Sequence, residues 1–417
     1  MKIILKLLLL TIPFTAHCQD MNRVRGYIDT LSSPGFHGRG PEFGGERKAA
    51  EYIKTKFQSF GLQPLDTSWF QTFRFNINTF PGKLSLKING KKLSPGKDYI
   101  VNCISGGGKG KLKVLYIDST YIWNVNKRNS FMAMPLKKIA VFYNEKDYSK
   151  LAQDNKDVFD KMHEAACVIE LQNNKLTACH SQNVYSNPYF DVLASSVPKD
   201  LKTVSFRLDQ QFVKGYTSQN VIGYIEGKTK PDSVVVITAH YDHLGRMGKD
   251  TYFPGANDNA SGVSMLFELA RHYVSNPPPN TMVFIAFGGE EAGLVGSKYY
   301  TQHPLFSLKR IKLLINLDLL GTGDEGMMVV NGTLHDREFK LLDSLNNSYG
   351  LLPAIKKRGP AANSDHYWFS EKGVPAFFFY TMGGIKAYHD IFDRPETLPL
   401  TKFAEVHKLI TLLVNSL

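Results

Sequence analysis

Cysteine is scarce in this chain, four in 417 residues, and tryptophan scarcer, with three. So few thiols exclude a small scaffold held together mainly by disulfides. Long apolar runs are missing too. Past the extreme N-terminus no run reaches the ~20 residues a membrane-spanning helix needs, so no membrane span is expected. Internal repeats and long low-complexity segments are absent, which excludes solenoid and fibrous classes. The basic excess, a formal charge of +12, is spread along the chain. Its tightest cluster is Lys356-Lys357-Arg358. Spread charge reads as a solvated surface, and nothing resembles a nucleic-acid module, so no nucleic-acid partner is expected. The chain is longer than one typical domain and can bury an ample core.

What is present begins with a leader. Lys2 and Lys6, the apolar residues 7–10 with Ile12 and Phe14, and small residues before Gln19 read as a signal peptide over residues 1–18. Lys6 and Pro13 break the apolar stretch, which is too short to span a bilayer. The mature protein is therefore expected to be exported, periplasmic or secreted. Cys18 as a lipid-modified first residue is the alternative, one that His17 fits poorly. Three cysteines follow: Cys103, Cys167 and Cys179. Cys167 and Cys179 are close enough to close a small loop and leave Cys103 unpaired, although spacing alone leaves the connectivity open.

The densest chemistry lies in the C-terminal half. Residues 281–287 form an apolar run that ends at Gly288-Gly289 and then Glu290-Glu291. Such a run reads as a buried central strand. Two adjacent carboxylates at its mouth repel each other and are costly to desolvate, so something cationic must hold them. Neighbouring strands offer the partners. Residues 234–239 lead to His240 and then Asp242, and residues 311–317 lead to Asp318. Residues 375–380 are followed by His389, and Asp258 precedes a helix pattern over residues 263–274. In open α/β sheets, ligands gather beyond the carboxyl ends of the strands. His240, Asp258, Glu291, Asp318 and His389 all fall there. Five oxygen and nitrogen donors without a thiolate favour Zn²⁺, Mn²⁺ or Co²⁺ over a structural zinc. They outnumber the needs of one tetrahedral ion, so two ions sharing a carboxylate are expected, with Glu290 left as general base. His243 reads as an ordinary polar residue outside the site. Asp365 and Asp393 read as residues that orient loops, and Tyr380 as core that edges into the substrate pocket.

The motifs His240-Tyr-Asp-His-Leu-Gly245, Gly255-Ala-Asn-Asp-Asn-Ala-Ser-Gly262, Gly289-Glu-Glu-Ala-Gly-Leu-Val-Gly-Ser297, Asn316-Leu-Asp-Leu-Leu-Gly321, Ser364-Asp-His366 and Tyr388-His-Asp390 occur in this order. Together they resemble the co-catalytic zinc peptidases related to aminopeptidase Y, bacterial leucyl aminopeptidase and glutamate carboxypeptidase. The resemblance is close over residues 216–417 and extends to Gly38-Arg-Gly40 and residues 49–53. It implies an α/β fold, a doubly wound mixed sheet flanked by helices. It makes His240 and Asp318 terminal ligands of different zinc ions, with Glu291 and His389 completing the sites and Asp258 bridging. It also makes Glu290 the general base and Asp242 a carboxylate that orients His240, and it implies a cis peptide at Asp258-Asn259. Catalytic-domain sequence is then expected over residues 19–79 and 216–417. Residues 80–215 differ in character, with short strand-like runs at 112–117, 138–143 and 165–171. They look like a small β-rich, protease-associated insert; a generic α/β insertion is the alternative.

The expected activity is that of a zinc-dependent aminopeptidase acting on peptides. A carboxypeptidase of the same fold remains open, with Lys356-Lys357-Arg358 as a place for a substrate carboxylate. A glutaminyl cyclase would use one zinc held by Asp258, Glu291 and His389, and the presence of His240 and Asp318 argues against it. A binding protein on an inactive scaffold is opposed by the intact ligand set. The sequence carries no signal of oligomeric state.

Overall fold

The computed structural model describes residues 20–147 and 155–417. The expected signal peptide, Cys18 included, lies outside them. Two mixed sheets organise the chain. The larger has nine strands, and at its centre Asn280–Phe287, Lys230–His240, Ile311–Leu317 and Ala376–Met382 lie side by side, all parallel. Antiparallel strands flank this block: Gln211–Ile225 on one side, itself paired with Phe70–Thr79, and Gly326–Val330 on the other.

Near-continuous apolar sequence explains the central block, because helices cover both faces. In Lys230–His240 the first residues are exposed, and burial is continuous from Val234 to His240. Val235, Ile237 and Ala239 pack beneath the helices Met21–Leu31, Gly45–Phe60, Gly262–Ser275 and Phe403–Asn415. Val234 and Val236 point the other way, against Tyr300 and Phe369 of the helices Val295–Gln302 and His366–Glu371. The alternation is the period of two that puts successive strand residues on opposite faces. The doubly wound architecture is thus as expected. The helix expected over residues 263–274 spans Gly262–Ser275.

The second sheet has eight strands over residues 84–208. Three of the strand-like runs correspond to Gly108–Tyr116, Ile139–Asn144 and Cys167–Gln172, which are mutually parallel and are followed by Tyr189–Leu193. Parallel neighbours need crossovers, and the helices Val125–Ala133 and Lys156–Met162 lie in those connections. The region is thus rich in strands, as expected, with short helices in its crossovers. Gln211–Ile225 then carries the chain into the large sheet, with a register shift between Val213 and Tyr216.

The cysteines pair differently from the expectation. Cys103 is bonded to Cys179, 76 residues apart, and Cys167 is free and buried. Cys167 opens an interior strand, its side chain sealed in an apolar cluster with Ala140, Phe142 and Ile169. Cys103 and Cys179 lie on loops that meet, so tertiary contact overrode sequence proximity. Among the described residues no helix is long and apolar enough to cross a membrane.

Candidate metal centre

Because the four central strands run the same way, their C-terminal ends open on one edge of the sheet. His240 is the last residue of its strand and Asp318 directly follows Ile311–Leu317. Gly288-Gly289 turns the chain after Asn280–Phe287 so that Glu290 and Glu291 reach the same edge. Only glycine fits at 288, where a Cβ would sit 2.6 Å from Ser218 Oγ and 2.8 Å from Glu46 Oε1. Asp258 arrives on the turn before helix Gly262–Ser275, and His389 on the loop after Ala376–Met382.

These side chains converge. His240 Nε2 lies 3.3 Å from Asp258 Oδ1 and 3.4 Å from Asp318 Oδ1. His389 Nε2 lies 3.0 Å from Asp258 Oδ2 and 3.1 Å from Glu291 Oε2. Asp258 thus offers one oxygen to each side. Three sets of donor atoms lie within 4.8 Å of one another among the described residues: His240, Asp258 and Asp318; His243, Asp258 and Glu291; and His240, Glu290 and Glu291. Nitrogen and carboxylate donors without thiolate suit Zn²⁺, Mn²⁺ or Co²⁺. Asp318 Oδ1 has no hydrogen-bond partner although it is buried, an orphan that a bound cation would satisfy.

Surrounding groups fix each carboxylate. Asp393 accepts the backbone N–H groups of Asn257 (2.8 Å) and Asp258 (2.9 Å), so it orients the turn. Ser364 Oγ donates to Asp318 Oδ2 at 3.2 Å and is itself reached by Asn316 Nδ2. The peptide Asp258-Asn259 is cis, as the resemblance implied. Asp242 is placed differently from expectation. Its carboxylate accepts the N–H groups of Glu290 (3.0 Å) and Glu291 (3.2 Å), holding their turn. His240 Nδ1 instead faces the Asp242 carbonyl at 3.2 Å, with the carboxylate oxygen at 3.8 Å.

Three contributors were not legible in the sequence. His243, expected outside the site, bonds Glu291 Oε1 at 2.7 Å; its spacing from His240 was the available signal. Arg39 is fully buried and donates to five carbonyls: Leu31, Tyr241, Pro254, Gly255 and Asp258. Its motif was visible, but a clamp on distant backbone leaves no local pattern. Ala178 contributes a carbonyl 3.1 Å from His389 Nδ1, and a backbone contact has no sequence signature. His366 packs against Phe378 and is absent from all three donor sets.

The electrostatics match a cation site. Burial alone would lower the His240 imidazolium, yet Glu290 and Asp318 outweigh it and hold it well above its usual range. His389 is likewise pushed up to about 11, against burial, by Glu291 and Asp258. Burial opposes ionisation of Asp258 and Glu291, but hydrogen bonds and charge from the histidines hold both low. Burial, reinforced by Glu291, raises Glu290 well above the usual carboxylate range. Positive charge is what these carboxylates gather, and a metal would use the same lone pairs.

The centre opens into a cavity of about 190 Å³ lined by His240, Asp258, Glu290, Asp318 and His389 together with Arg358, Phe378, Tyr380 and Tyr388. Tyr380 therefore reaches the pocket as expected. A cavity of about 740 Å³ beside Lys109, Leu136 and His163 lies in the second sheet's region and shares none of these residues.

Comparison with known proteins agrees with this geometry. The sequence profile of Peptidase family M28 matches residues 220–414. Aminopeptidase YwaD of Bacillus subtilis is 37% identical over 174 residues, covering 39% of this chain and 35% of that protein. A probable zinc metalloprotease of Pyricularia oryzae is 39% identical over 111 residues, 26% of this chain and 22% of that protein. The chain thus spans about a third or less of these two relatives. Among solved structures, the zinc aminopeptidase BSAP from Bacillus subtilis superposes with a TM-score of 0.70 at 24% identity, over 95% of this chain and 94% of that one. An aminopeptidase from Aneurinibacillus sp. strain AM-1 gives 0.64 at 22% identity, over 95% and 93%. At these identities the likeness is one of fold.

Proposed function

We propose, from the match of residues 220–414 to peptidase family M28, that the chain is an exported, zinc-dependent aminopeptidase. The observation that carries the reading is the convergence of His240, Asp258, Glu291, Asp318 and His389 on one strand-end edge, with Glu290 lining the same cavity. Two zinc ions are proposed, one held by His240, Asp258 and Asp318, the other by Asp258, Glu291 and His389. When bound, zinc supplies Lewis acidity toward a carbonyl and toward water. Glu290 takes the proton from the attacking water and delivers it to the leaving amine. Asp242 keeps Glu290 and Glu291 aimed by holding their N–H groups. The cavity is small beside the ~300–1,000 Å³ of typical ligand pockets, which favours removal of one residue at a time over the binding of a long segment.

Export is supported by the leader composition and by the Cys103–Cys179 disulfide, a bond that persists in oxidising compartments. We assign residues 19–79 and 216–417 to the peptidase unit and residues 80–215 to a protease-associated-like insert at its entrance. The test is digestion of a mixed peptide library by the purified protein, read by mass spectrometry beside Glu290→Ala. Stepwise loss of N-terminal residues, absent with the variant, is the expected result. Formation of pyroglutamate without cleavage would move the protein to the glutaminyl cyclases.

One observation favours a second reading. Arg358 lines the cavity with no hydrogen bond or ion pair from its guanidinium among the described residues. It is placed for a substrate carboxylate, either an acidic side chain or the α-carboxylate of a carboxypeptidase substrate. Arg358→Ala is expected to raise KM about tenfold or more for carboxylate-bearing substrates and to spare neutral ones. Trimming from the carboxyl end would replace the aminopeptidase reading with this one.

A further inference from the structure

The strands Cys167–Gln172 and Tyr189–Leu193 of the second sheet are joined by residues 173–188, and this connection reaches the metal centre. Its contacts with the loop that carries His389 are specific. The Ala178 N–H donates to the His389 carbonyl at 2.9 Å, while the Ala178 carbonyl lies 3.1 Å from His389 Nδ1. Lys175 Nζ meets Asp390 Oδ2 at 3.0 Å and the Lys386 carbonyl at 3.0 Å. Farther along the connection, Gln182 Nε2 donates to the carbonyl of Ala292, next to Glu291, at 2.8 Å. The connection is itself tied down twice. Cys179 is bonded to Cys103, and the Ser181 carbonyl accepts the Asn78 N–H at 2.9 Å.

Two physical consequences bear on His389. A carbonyl can only accept, so Ala178 places the ring proton on Nδ1 and leaves the Nε2 lone pair facing Asp258 and Glu291, the tautomer a metal needs. His389 also sits at φ 53, a left-handed conformation that is unfavourable for a non-glycine residue. The paired bonds to Ala178, one to its carbonyl and one to its ring, hold it there.

We infer that the disulfide-anchored connection 173–188 is a positioning element for His389, and that metal affinity on the Asp258–Glu291–His389 side depends on it. Part of the second sheet's region thereby belongs to the metal site. The inference rests on the proposed reading only in placing a metal between those three residues.

The test uses the full chain as Cys103→Ser/Cys179→Ser and, separately, as Lys175→Ala/Gln182→Ala, with His389→Ala marking complete loss of one site. Zinc stoichiometry and affinity are measured by competition with a chromophoric chelator. In both double variants one zinc equivalent is expected to weaken about 10–100-fold, the usual effect of losing a group that orients a metal ligand, while the other keeps its affinity. Should the cysteine variant fail to fold, the lysine–glutamine variant decides. Two undisturbed equivalents in a folded variant, or equal weakening of both, would overturn the inference, as would wild-type protein that binds no zinc. Wild type that binds two zinc ions and cleaves nothing would sink the peptidase reading, and selective loss of one ion in the variants would still uphold this one.

Discussion

Glu170 and Asp191 sit directly opposite each other on adjacent parallel strands of the second sheet, whereas Asp258, Glu291 and Asp318 sit beyond the ends of strands in the first. Both groups are buried. In the second sheet the partners are neutral: Tyr143 Oη and Tyr189 Oη donate to Glu170 Oε2 at 2.8 and 2.6 Å, and Asn102 Nδ2 lies 3.1 Å from Asp191 Oδ2. Burial, with Glu170 alongside, pushes the Asp191 carboxyl up to about 8, so this pair meets its charge problem by keeping a proton. At the strand ends the partners are imidazoles, which hold Asp258 and Glu291 low against burial, while burial raises Asp318. Mid-strand positions are hemmed in by the ladder and can be completed by fixed donors. Beyond the ends the backbones diverge, which leaves room for a cavity and for cations. Burial of acid groups is common to both regions; the choice of partner separates a structural network from a reactive one.

Exchanging carboxylate for amide in each region tests this contrast most sharply. Glu290→Gln is expected to lower kcat roughly 10²–10⁴-fold with zinc content intact, whereas Glu170→Gln should leave kcat within about twofold and lower the melting temperature. A fall in kcat of similar size from Glu170→Gln would erase the distinction.

Arg39→Met comes next in size. It strands five buried carbonyls around the metal turn, and an unsatisfied buried group costs ~1–3 kcal/mol. A loss of at least about 3 kcal/mol in urea unfolding is expected, together with weaker zinc binding. A loss below ~1 kcal/mol would mean the turn is held by Asp393 alone.

The smallest effect concerns pH. An ordinary aspartate titrates near ~3.9, and folded Asp191 near about 8. Between these values the folded chain holds a proton that the unfolded chain has released, so this group's contribution to stability falls as pH rises. Asp191→Asn should flatten the decline in melting temperature between about pH 5 and 8. An unchanged slope would assign it to other buried acids, such as Glu46, also raised to about 8 by burial.

Much of the large sheet was legible because its strands are apolar runs and the candidate ligand residues end them. The runs 234–239, 281–287 and 311–317 lie within Lys230–His240, Asn280–Phe287 and Ile311–Leu317. The strands of the second sheet were legible too, but its crossover helices were not, since Val125–Ala133 reads Val-Asn-Lys-Arg-Asn-Ser-Phe-Met-Ala and buries only Phe131. His243 was discounted because one polar residue in a loop carries no periodic signal, and the contact that gives it a role is with Glu291, 48 residues away.

By itself, then, the sequence determined the central strands and their order along the chain, the candidate ligands at the strand ends and the glycine turns that aim them. These are local matters of hydrophobic period, backbone freedom and donor chemistry. Only the tertiary structure decided that Cys103 pairs with Cys179, that Arg39 clamps a turn more than 200 residues away, and that Ala178 faces His389 across 211 residues. Each is a contact between segments far apart in sequence and brought together by packing, and two of them run through backbone carbonyls, which every residue carries alike.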